Sequence, residues 1–323
     1  MNINELRPML PENPFDLKKF SAFLKSESEK SETVDLPTAI AHSITSKINT
    51  LSPIRRLAKV TLTSGDRLDV VVDTKDSESS GWITDELIKY DNISSISKIS
   101  IYLHQLYAKP RVAHTLLEDH TANVEEFINE KITIQMAASE NEAFLFGDGV
   151  SRPKGILKYD ISTDGESYEA STRTIEGVDA GRTISDHTKI VELMEKMPTK
   201  YLGGAVWLMS RNAASLIRTL RDETTGRFLW QNSIAHGVPD TLLGYPVVLC
   251  DVMPRIDSGD DMCVPVLFAN LYEGYQIAEK PSINILKDPY GSKPFVEFYA
   301  TKRVGGDVVN FDAIKALVIR KGD

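Results

Sequence analysis

The stretch Ala137-Ala138-Ser139-Glu140-Asn141-Glu142-Ala143-Phe144-Leu145-Phe146 runs into Gly147-Asp148-Gly149 and then Pro153-Lys154-Gly155-Ile156-Leu157. Its first half closes the clearest helical pattern in the chain. Val124, Phe127, Ile128, Ile132 and Ala138 form an apolar stripe at helical spacing, with Glu125, Glu126, Asn129, Glu130 and Ser139 outside it. The spacing predicts a helix over 123–146. Thr121 or Asn123 is placed to cap it, and Glu125 and Glu126 suit the positive end of its dipole. Such a helix spans ~36 Å at a rise of about 1.5 Å per residue. Gly147-Asp148-Gly149 should end it through a left-handed glycine, and Pro153 stops it from resuming.

Upstream of this helix the period changes to two. Val60 and Leu62 alternate with threonines. After Ser64-Gly65-Asp66, Leu68, Val70 and Val72 alternate again, so residues 57–73 are expected to form a hairpin. A polar tip, Thr74 to Gly81, follows. A hairpin with such an extension is marginal alone in water and must lie on something. Residues 96–108 alternate too, with Ile99, Ile101 and Leu103 on one face and Tyr102, His104 and Leu106 on the other. At the N-terminus, Leu17, Phe20, Phe23 and Leu24 have helical spacing, and the solvated run Lys25 to Glu32 follows. A short amphipathic stretch on a polar tether reads as an arm that docks elsewhere.

Downstream the pattern is α+β. Residues 161–186 read as a long loop or weak strands. A short helix over 189–197 is stopped by Pro198. A buried strand over 205–209 precedes a helix over 213–220, and strands are expected over 246–250, 264–268, 296–300 and 317–320.

The chain has 323 residues, a formal charge of −9 and 41% hydrophobic residues, a composition that excludes disordered, collagen-like and mucin-like classes. The acidic balance argues against a protein that coats nucleic acid through a basic face. Cys250 and Cys263 are too few for a disulfide framework or a thiolate cage and read as small buried hydrophobes. No run is apolar for the roughly 20 residues of a membrane helix. The start of the chain lacks the pattern of a secretory signal, so a soluble chain made in the cytoplasm is expected.

No chemistry-bearing motif emerges. A phosphate loop, a Gly-x-Ser-x-Gly elbow and a His-Glu-x-x-His pair are all missing from the sequence. Gly147-Asp148-Gly149 begins like a dinucleotide fingerprint but follows a helix, and Arg152 holds the third glycine position. Ser258-Gly259-Asp260-Asp261 lacks the alternating ligands of a calcium loop. Trp82, Trp207 and Trp230 have no accompanying basic run and read as packing residues. No catalytic, metal or cofactor residue is therefore assigned.

The opening stretch, with Leu116-Leu117-Glu118-Asp119 before it, closely resembles the signature of tailed-bacteriophage major capsid proteins of the Hong Kong 97 type, the phage capsid family. Its signature positions are Glu140, Asn141, Phe144, Gly147, Asp148, Gly149, Pro153 and Gly155. Further matches follow in order. They are Trp82-Ile83-Thr84-Asp85-Glu86, Trp207-Leu208-Met209-Ser210, Asp222 with Gly226 to Trp230, Leu242 to Val247, Phe268 to Tyr275, and Arg303-Val304-Gly305-Gly306-Asp307-Val308. The resemblance covers roughly residues 50–320. One departure is Ala269-Asn270, where relatives often carry Gly-Asp. Another is the front. Only about 40 residues precede the matched region, so scaffolding is expected to be a separate protein, or the chain to be already trimmed; the initiating Met1 favours the first.

The resemblance implies an α+β fold of the Hong Kong 97 type. Its expected parts are an N-terminal arm (1–48), an extended loop (49–95), a peripheral domain with a spine helix (96–186), an axial domain (187–272), a peripheral return (273–305) and a C-terminal axial strand (306–323). It also implies self-assembly into pentamers and hexamers of an icosahedral shell around double-stranded DNA. Expected subunit contacts are Phe20, Phe23 and Leu24 on the arm, and Leu68, Val70, Val72, Lys75, Trp82 and Glu86 on the loop. Implied partners are copies of the chain, a portal, scaffolding and decoration proteins and a maturation protease, with no membrane. Some relatives weld subunits through Lys–Asn bonds. Lys75 lies in the right loop, although an exposed lysine is the simpler reading. A gene transfer agent shell or an encapsulin-type compartment shares the fold. The competitor of another class is a soluble α+β enzyme with an unrecognised site.

Overall fold

A computed structural model describes residues 32–35, 38–73, 96–118, 124–163, 173–221, 226–233, 239–256 and 262–320. In chain order the elements begin β1 (Glu32–Asp35), α1 (Thr38–Leu51), α2 (Pro53–Leu57), β2 (Lys59–Leu62), β3 (Arg67–Asp73), β4 (Ile96–Tyr102), β5 (His104–Ala108) and β6 (Arg111–Ala113). Next come α3 (His114–Glu118), α4 (Val124–Phe146), a 3-10 turn (Ile156–Lys158), β7 (Ile161–Ser162), β8 (Ile175–Asp179), α5 (His187–Glu195), α6 (Thr199–Leu202), β9 (Val206–Met209) and α7 (Arg211–Thr219). The chain closes with β10 (Trp230–Gln231), β11 (Thr241–Leu242), β12 (Tyr245–Leu249), β13 (Met262–Ala269), α8 (Leu271–Gly274), β14 (Tyr275–Ser292), β15 (Phe295–Val308) and β16 (Ile314–Arg320).

These elements divide into two compact units. The first comprises residues 1–51, 105–138 and 281–303, and the second 52–104, 139–280 and 304–323. The cuts fall at the end of α1 and inside β5, α4, β14 and β15. They do not coincide with the six segments implied by the resemblance.

The first unit packs helices on one face of a sheet. β1 pairs antiparallel with β14 (Val34 opposite Ile285), and β6 pairs antiparallel with β15 (Val112 opposite Val296). Ala41, Ile44 and Ile48 of α1 and Val124, Ile128, Ile132, Met136 and Ala137 of α4 share a core with Ile283, Ile285, Val296, Phe298 and Ala300. The buried line of α4 steps by four, from Val124 to Ile128, Ile132 and Met136. Two expected members of the stripe are instead exposed, Phe127 and Ala138. The apolar sector of this helix is wider than the sheet it covers, and those two residues sit beyond the contact. Buried Glu297 pairs with Lys109 and with Arg111 (2.8 Å) and accepts the Ser292 hydroxyl at 2.6 Å. The Lys109 ammonium, then the Ser292 hydroxyl, hold its pKa below the ordinary carboxylate value.

The second unit is built on an eight-stranded mixed sheet ordered β10-β11-β12-β9-β13-β16-β8-β7. All four β9 residues are buried, as expected for a strand covered on both faces. Trp207 packs on Phe268 with ring centroids 4.4 Å apart and donates its indole N–H to the Leu242 carbonyl at 2.9 Å. Pro265 lies inside β13, where it has no N–H to offer. The ladder accommodates it by shifting register between Cys263 and Val266. Leu243 and Gly244 both have positive φ and form the two-residue turn between β11 and β12. Cys250 and Cys263 are free and buried.

Glu176 on β8 stands opposite buried Lys315 on β16 and bonds it at 2.7 Å, with Lys196 at 3.2 Å. Burial alone would raise the pKa of this carboxyl. Lys315, followed by Lys196, outweighs burial and holds it below the ordinary value of 4.5. Its contribution to stability is therefore full above the unfolded pKa and is lost as pH falls through the lower folded value. Glu176→Gln is expected to be less stable than the parent at pH 7, and the gap should close on acidification below pH 4.5. Denaturant midpoints measured down the pH series check this; a gap that widens in acid contradicts it.

The expected 57–73 hairpin does not form. β2 pairs parallel with β14 (Val60 opposite Ile277), and β3 pairs antiparallel with β4 over seven residue pairs, from Arg67 opposite Tyr102 to Asp73 opposite Ile96. The intervening loop is tied to other segments. Thr63 donates its N–H to the Glu279 carbonyl at 2.9 Å, Asp66 pairs with Lys280 at 2.8 Å, and the Leu103 N–H reaches the Asp66 carbonyl at 3.0 Å. The 161–186 region forms the short strands β7 and β8, and Ile175, Gly177 and Val178 of β8 are buried.

Candidate subunit-contact surfaces and the signature turn

In the second unit, the signature residues converge behind the end of α4. Gly147 donates its N–H to the Ala143 carbonyl at 2.8 Å, and the chain then reverses so that the Gly155 N–H reaches the Gly147 carbonyl at 3.0 Å. A Cβ on Gly147 would stand 1.9 Å from the Pro153 carbonyl oxygen, and one on Gly155 would stand 2.4 Å from the Leu145 carbonyl. Both glycines are therefore required by close backbone approach. Only Gly149, at φ +76°, supplies the left-handed conformation that the sequence suggested for the whole triplet.

Asp148 locks the turn. One carboxylate oxygen accepts the N–H groups of Val150, Ser151 and Arg152, each at 3.0 Å, and the other accepts the Ser151 hydroxyl at 2.8 Å. The Ser151 hydroxyl and the Val150 N–H lead in holding this carboxyl well below the usual range.

Glu140 and Asn141 face inward from α4. Arg55 on α2 donates to Glu140 at 3.1 Å and also pairs with Glu279 on β14, and the side chains of all three are almost fully buried. Burial works against the Arg55 charge, but Glu140 and then Glu279 outweigh it and hold its pKa above the ordinary value. Ser52 caps α2 by accepting the Arg55 N–H at 3.2 Å, and its hydroxyl donates to Asn141. Phe144 packs edge-on to Tyr275 at 5.7 Å, and the Tyr275 hydroxyl donates to the Lys154 carbonyl at 2.9 Å.

A second motif meets the first here. The Lys154 N–H donates to the Gly306 carbonyl at 2.9 Å, and a Cβ on Gly306 would stand 2.4 Å from the Tyr275 hydroxyl. Next in sequence, Asp307 accepts the Tyr159 hydroxyl and pairs with Arg173 at 3.1 Å. Burial, then Asp307, raises the Tyr159 pKa, so the phenol stays protonated and donates. The Gly-Gly-Asp stretch near the C-terminus therefore buttresses the Pro-Lys-Gly turn. Asn270 caps α8 and also donates its amide to the Tyr201 carbonyl at 3.0 Å, a bond an aspartate there could not make. Sequence reasoning missed Arg55, Ser52 and Tyr159 as members of this assembly, since nothing local marks them.

Of the expected contact residues, Leu68, Val70 and Val72 are half-buried along one side of β3, while Val71 on the other side is 69% exposed. Leu68 faces Ile101, and Val70 faces Ile99 across the ribbon. Lys98 at 2.8 Å, then the Ser100 hydroxyl at 2.7 Å, lower the pKa of Asp69. Among the described residues, β3 and β4 form a sheet of two strands with no third. Phe20, Phe23, Leu24, Lys75, Trp82 and Glu86 lie outside the described residues, as do the Thr74–Gly81 tip and the capping candidates Thr121 and Asn123.

Among the described residues no group of three His, Cys, Asp or Glu is placed to hold a metal ion, and no helix is long and apolar enough to cross a membrane. An open groove of about 490 Å³ in the second unit is lined by Leu202, Gly203, Gly204, Ala205, Val206, Gly244, Tyr245 and Pro246, without a carboxylate, histidine or cysteine.

The Phage capsid family model matches residues 33–319. Among solved structures, the chain is similar to the capsid of a native GTA particle, with 32% identity and a TM-score of 0.70 over 91% of this chain and 94% of that one. It is also similar to the capsid of an empty GTA particle, with 32% identity and a TM-score of 0.69 over 84% and 90% of the two chains. A structure from Gordonia phage Cozz shares the fold at 16% identity, with a TM-score of 0.54 over 84% and 87%. Among curated proteins none matches. With a reversed helix-end turn assembled from its signature residues and a family match spanning nearly its whole length, this chain belongs to the phage capsid family and is a major capsid protein of the Hong Kong 97 fold, a subunit of an icosahedral shell.

Proposed function

We propose that the chain assembles head-to-tail into hexamers and pentamers that close a shell around double-stranded DNA, without reading its sequence and without catalytic turnover or a cofactor. The observation that carries this reading is the β3–β4 ribbon. A two-stranded ribbon is marginal in water, and this one pairs with no further strand among the described residues. Laid across a neighbouring subunit, it would bury its apolar side at about 25 cal/mol per Å² before entropy costs. Head-to-tail contacts of this kind generate rings when the rotation closes. In this reading, residues 49–95 are the extended loop, with Lys75, Trp82 and Glu86 toward its tip. The arm (1–48) carries Phe20, Phe23 and Leu24 to a neighbour. Residues 96–186 and 273–305 supply the peripheral domain, and residues 187–272 and 306–323 the axial domain. The charge of −9 suits a container whose wall must not hold phosphates through counterion release. Portal, scaffolding and decoration proteins and a maturation protease complete the pathway, in a bacterial cytoplasm.

A second reading within the same fold is the shell of a gene transfer agent. It is favoured by 32% identity to GTA capsids against 16% to the Cozz structure. Electron microscopy of the purified chain is expected to show capsomers or megadalton shells, whereas a stable monomer defeats the shell reading. Sequencing the DNA inside native particles separates the alternatives: one recurrent phage genome, or scattered host fragments. Boiling the particles in denaturant tests welding at Lys75, and a single 36.0 kDa band on a gel dismisses it.

A further inference from the structure

The Arg303 to Val308 stretch holds two adjacent glycines, and the signature turn uses only Gly306. Successive residues of a strand face opposite sides. A Cβ on Gly306 would point at the Tyr275 hydroxyl, whereas one on Gly305 would stand 2.3 Å from the Tyr102 carbonyl oxygen and 3.2 Å from the Ile101 side chain. Gly305 does not have a positive φ, so close approach is what requires it. Tyr102 ends β4 and stands opposite Arg67, the first residue of β3. On this face β15 therefore touches the root of the β3–β4 ribbon, and Ile101 there is only 2% exposed. The β3 side of the root is tied to β14 instead. Thr63 donates its N–H to the Glu279 carbonyl, and Asp66 pairs with Lys280 at 2.8 Å. The Glu279 side chain is itself held by buried Arg55. The Leu103 N–H closes the root by donating to the Asp66 carbonyl at 3.0 Å.

We propose that Gly305 is the positioning residue that sets the direction in which the ribbon leaves the second unit, and with it the surface of a neighbouring copy that the ribbon meets. This rests on the reading of the ribbon as a subunit contact. The steric argument is short. An alanine at 305 needs the Tyr102 oxygen to retreat from 2.3 Å to the 3.4 Å of ordinary contact. The β3 side, held at Glu279 and Lys280, is the pivot. A displacement of about 1 Å at β4, pivoted on a strand ~4.8 Å away, tilts the ribbon by roughly 13°. Val71 lies four residues beyond the root, ~13 Å at the rise of a strand, so it swings by about 3 Å. Close-packed apolar contacts do not absorb a misplacement of that size. One strand thus serves two devices. Through Gly306 it buttresses the signature turn, and through Gly305 it aims the ribbon.

Nitroxide labels on the full, unassembled chain read the ribbon's direction. Val71→Cys is paired in turn with Met262→Cys and Val150→Cys, so that a swing perpendicular to one line is read along the other. All three sites are at least half exposed, and the natural Cys250 and Cys263 are buried. With Gly305 in place, pulsed electron resonance is expected to give narrow distance distributions; broad ones overturn the proposal. Gly305→Ala is expected to move at least one mean distance by about 3 Å. Capsomer yield should fall about tenfold, equivalent to ~1.4 kcal/mol of contact. An unmoved mean, or a moved mean with full capsomer yield, overturns the proposal. Should Gly305→Ala fail to fold, Lys280→Ala removes the exposed ion pair of the pivot without adding an atom. It is expected to broaden the distributions and lower capsomer yield at an unchanged denaturant midpoint, and unchanged widths refute the proposal. Val70→Asp separates the two readings, because it alters the ribbon's apolar side and leaves the root intact. Normal capsomers from Val70→Asp defeat ribbon docking itself. Capsomers lost with Val70→Asp but kept with Gly305→Ala defeat only the role given to Gly305.

Discussion

Replacing Arg55 with leucine is expected to cost roughly 3–5 kcal/mol of folding stability, enough to abolish soluble accumulation of a domain whose total stability is about 5–15 kcal/mol. The guanidinium is the cation between two buried carboxylates, Glu140 at 3.1 Å and Glu279, and the side chains of all three are at most 4% exposed. Leucine fills part of the volume but leaves both acids deprived of the charge that Arg55 supplied, in a region where water cannot replace it. Arg55→Lys should fall between leucine and the parent, because it retains the charge but loses the fork that reaches two carboxylates at once. Arg56 is the control. It is the next residue on α2 and is exposed, so Arg56→Leu should leave stability within about 0.5 kcal/mol of the parent. Urea unfolding of the unassembled subunit reads all three. Equal midpoints for Arg55→Leu and Arg56→Leu would mean that the buried triad is not what holds α2 to α4 and β14.

Gly147→Ala is the second large effect, expected to exceed ~3 kcal/mol. The added methyl would lie 1.9 Å from the Pro153 carbonyl oxygen and 2.5 Å from the Ala143 carbonyl oxygen. Both are backbone atoms, which cannot rotate away. Relief requires the turn to open, which breaks the Gly155–Gly147 hydrogen bond and pulls Lys154 from Gly306. Gly155→Ala should behave alike, because the Leu145 carbonyl and Phe146 nitrogen stand within 2.5 Å of its Cβ position. Gly149→Ala provides the calibration. Its strain is conformational, at φ +76°, and its nearest neighbour is the flexible Lys154 side chain, so a cost of only about 1–2 kcal/mol is expected. Soluble yield and denaturant midpoints rank the three. If Gly149→Ala proves the most damaging, the close-approach account of this turn is wrong.

Position in the sequence hides most of this arrangement. Arg55 and Glu279 are 224 residues apart, and each alone looks like an ordinary surface charge. The β3 partner was misjudged for a related reason. A period of two announces a strand but does not name its mate, and Ser64-Gly65-Asp66 resembles a turn closely enough to suggest the nearest one. Asp66 instead pairs with Lys280, and that contact lies beyond the reach of local pattern. Phe127 was assigned to the buried stripe because apolarity at helical spacing gives a direction but not a width.

Local chemistry alone was enough to place the long helix, the buried β9 strand and the buried cysteines, because each depends on the periodicity or burial preference of neighbouring residues. The ordered motifs were enough to identify the family. Only the tertiary structure decided why those motifs exist: Gly147, Gly155 and Gly306 leave space where backbones or a tyrosine hydroxyl come together, and Arg55 neutralises acids contributed by two distant segments. Sequence records each residue's preference for water or shelter, whereas close approach and charge compensation are properties of pairs, and those pairs come into being only when the chain has folded.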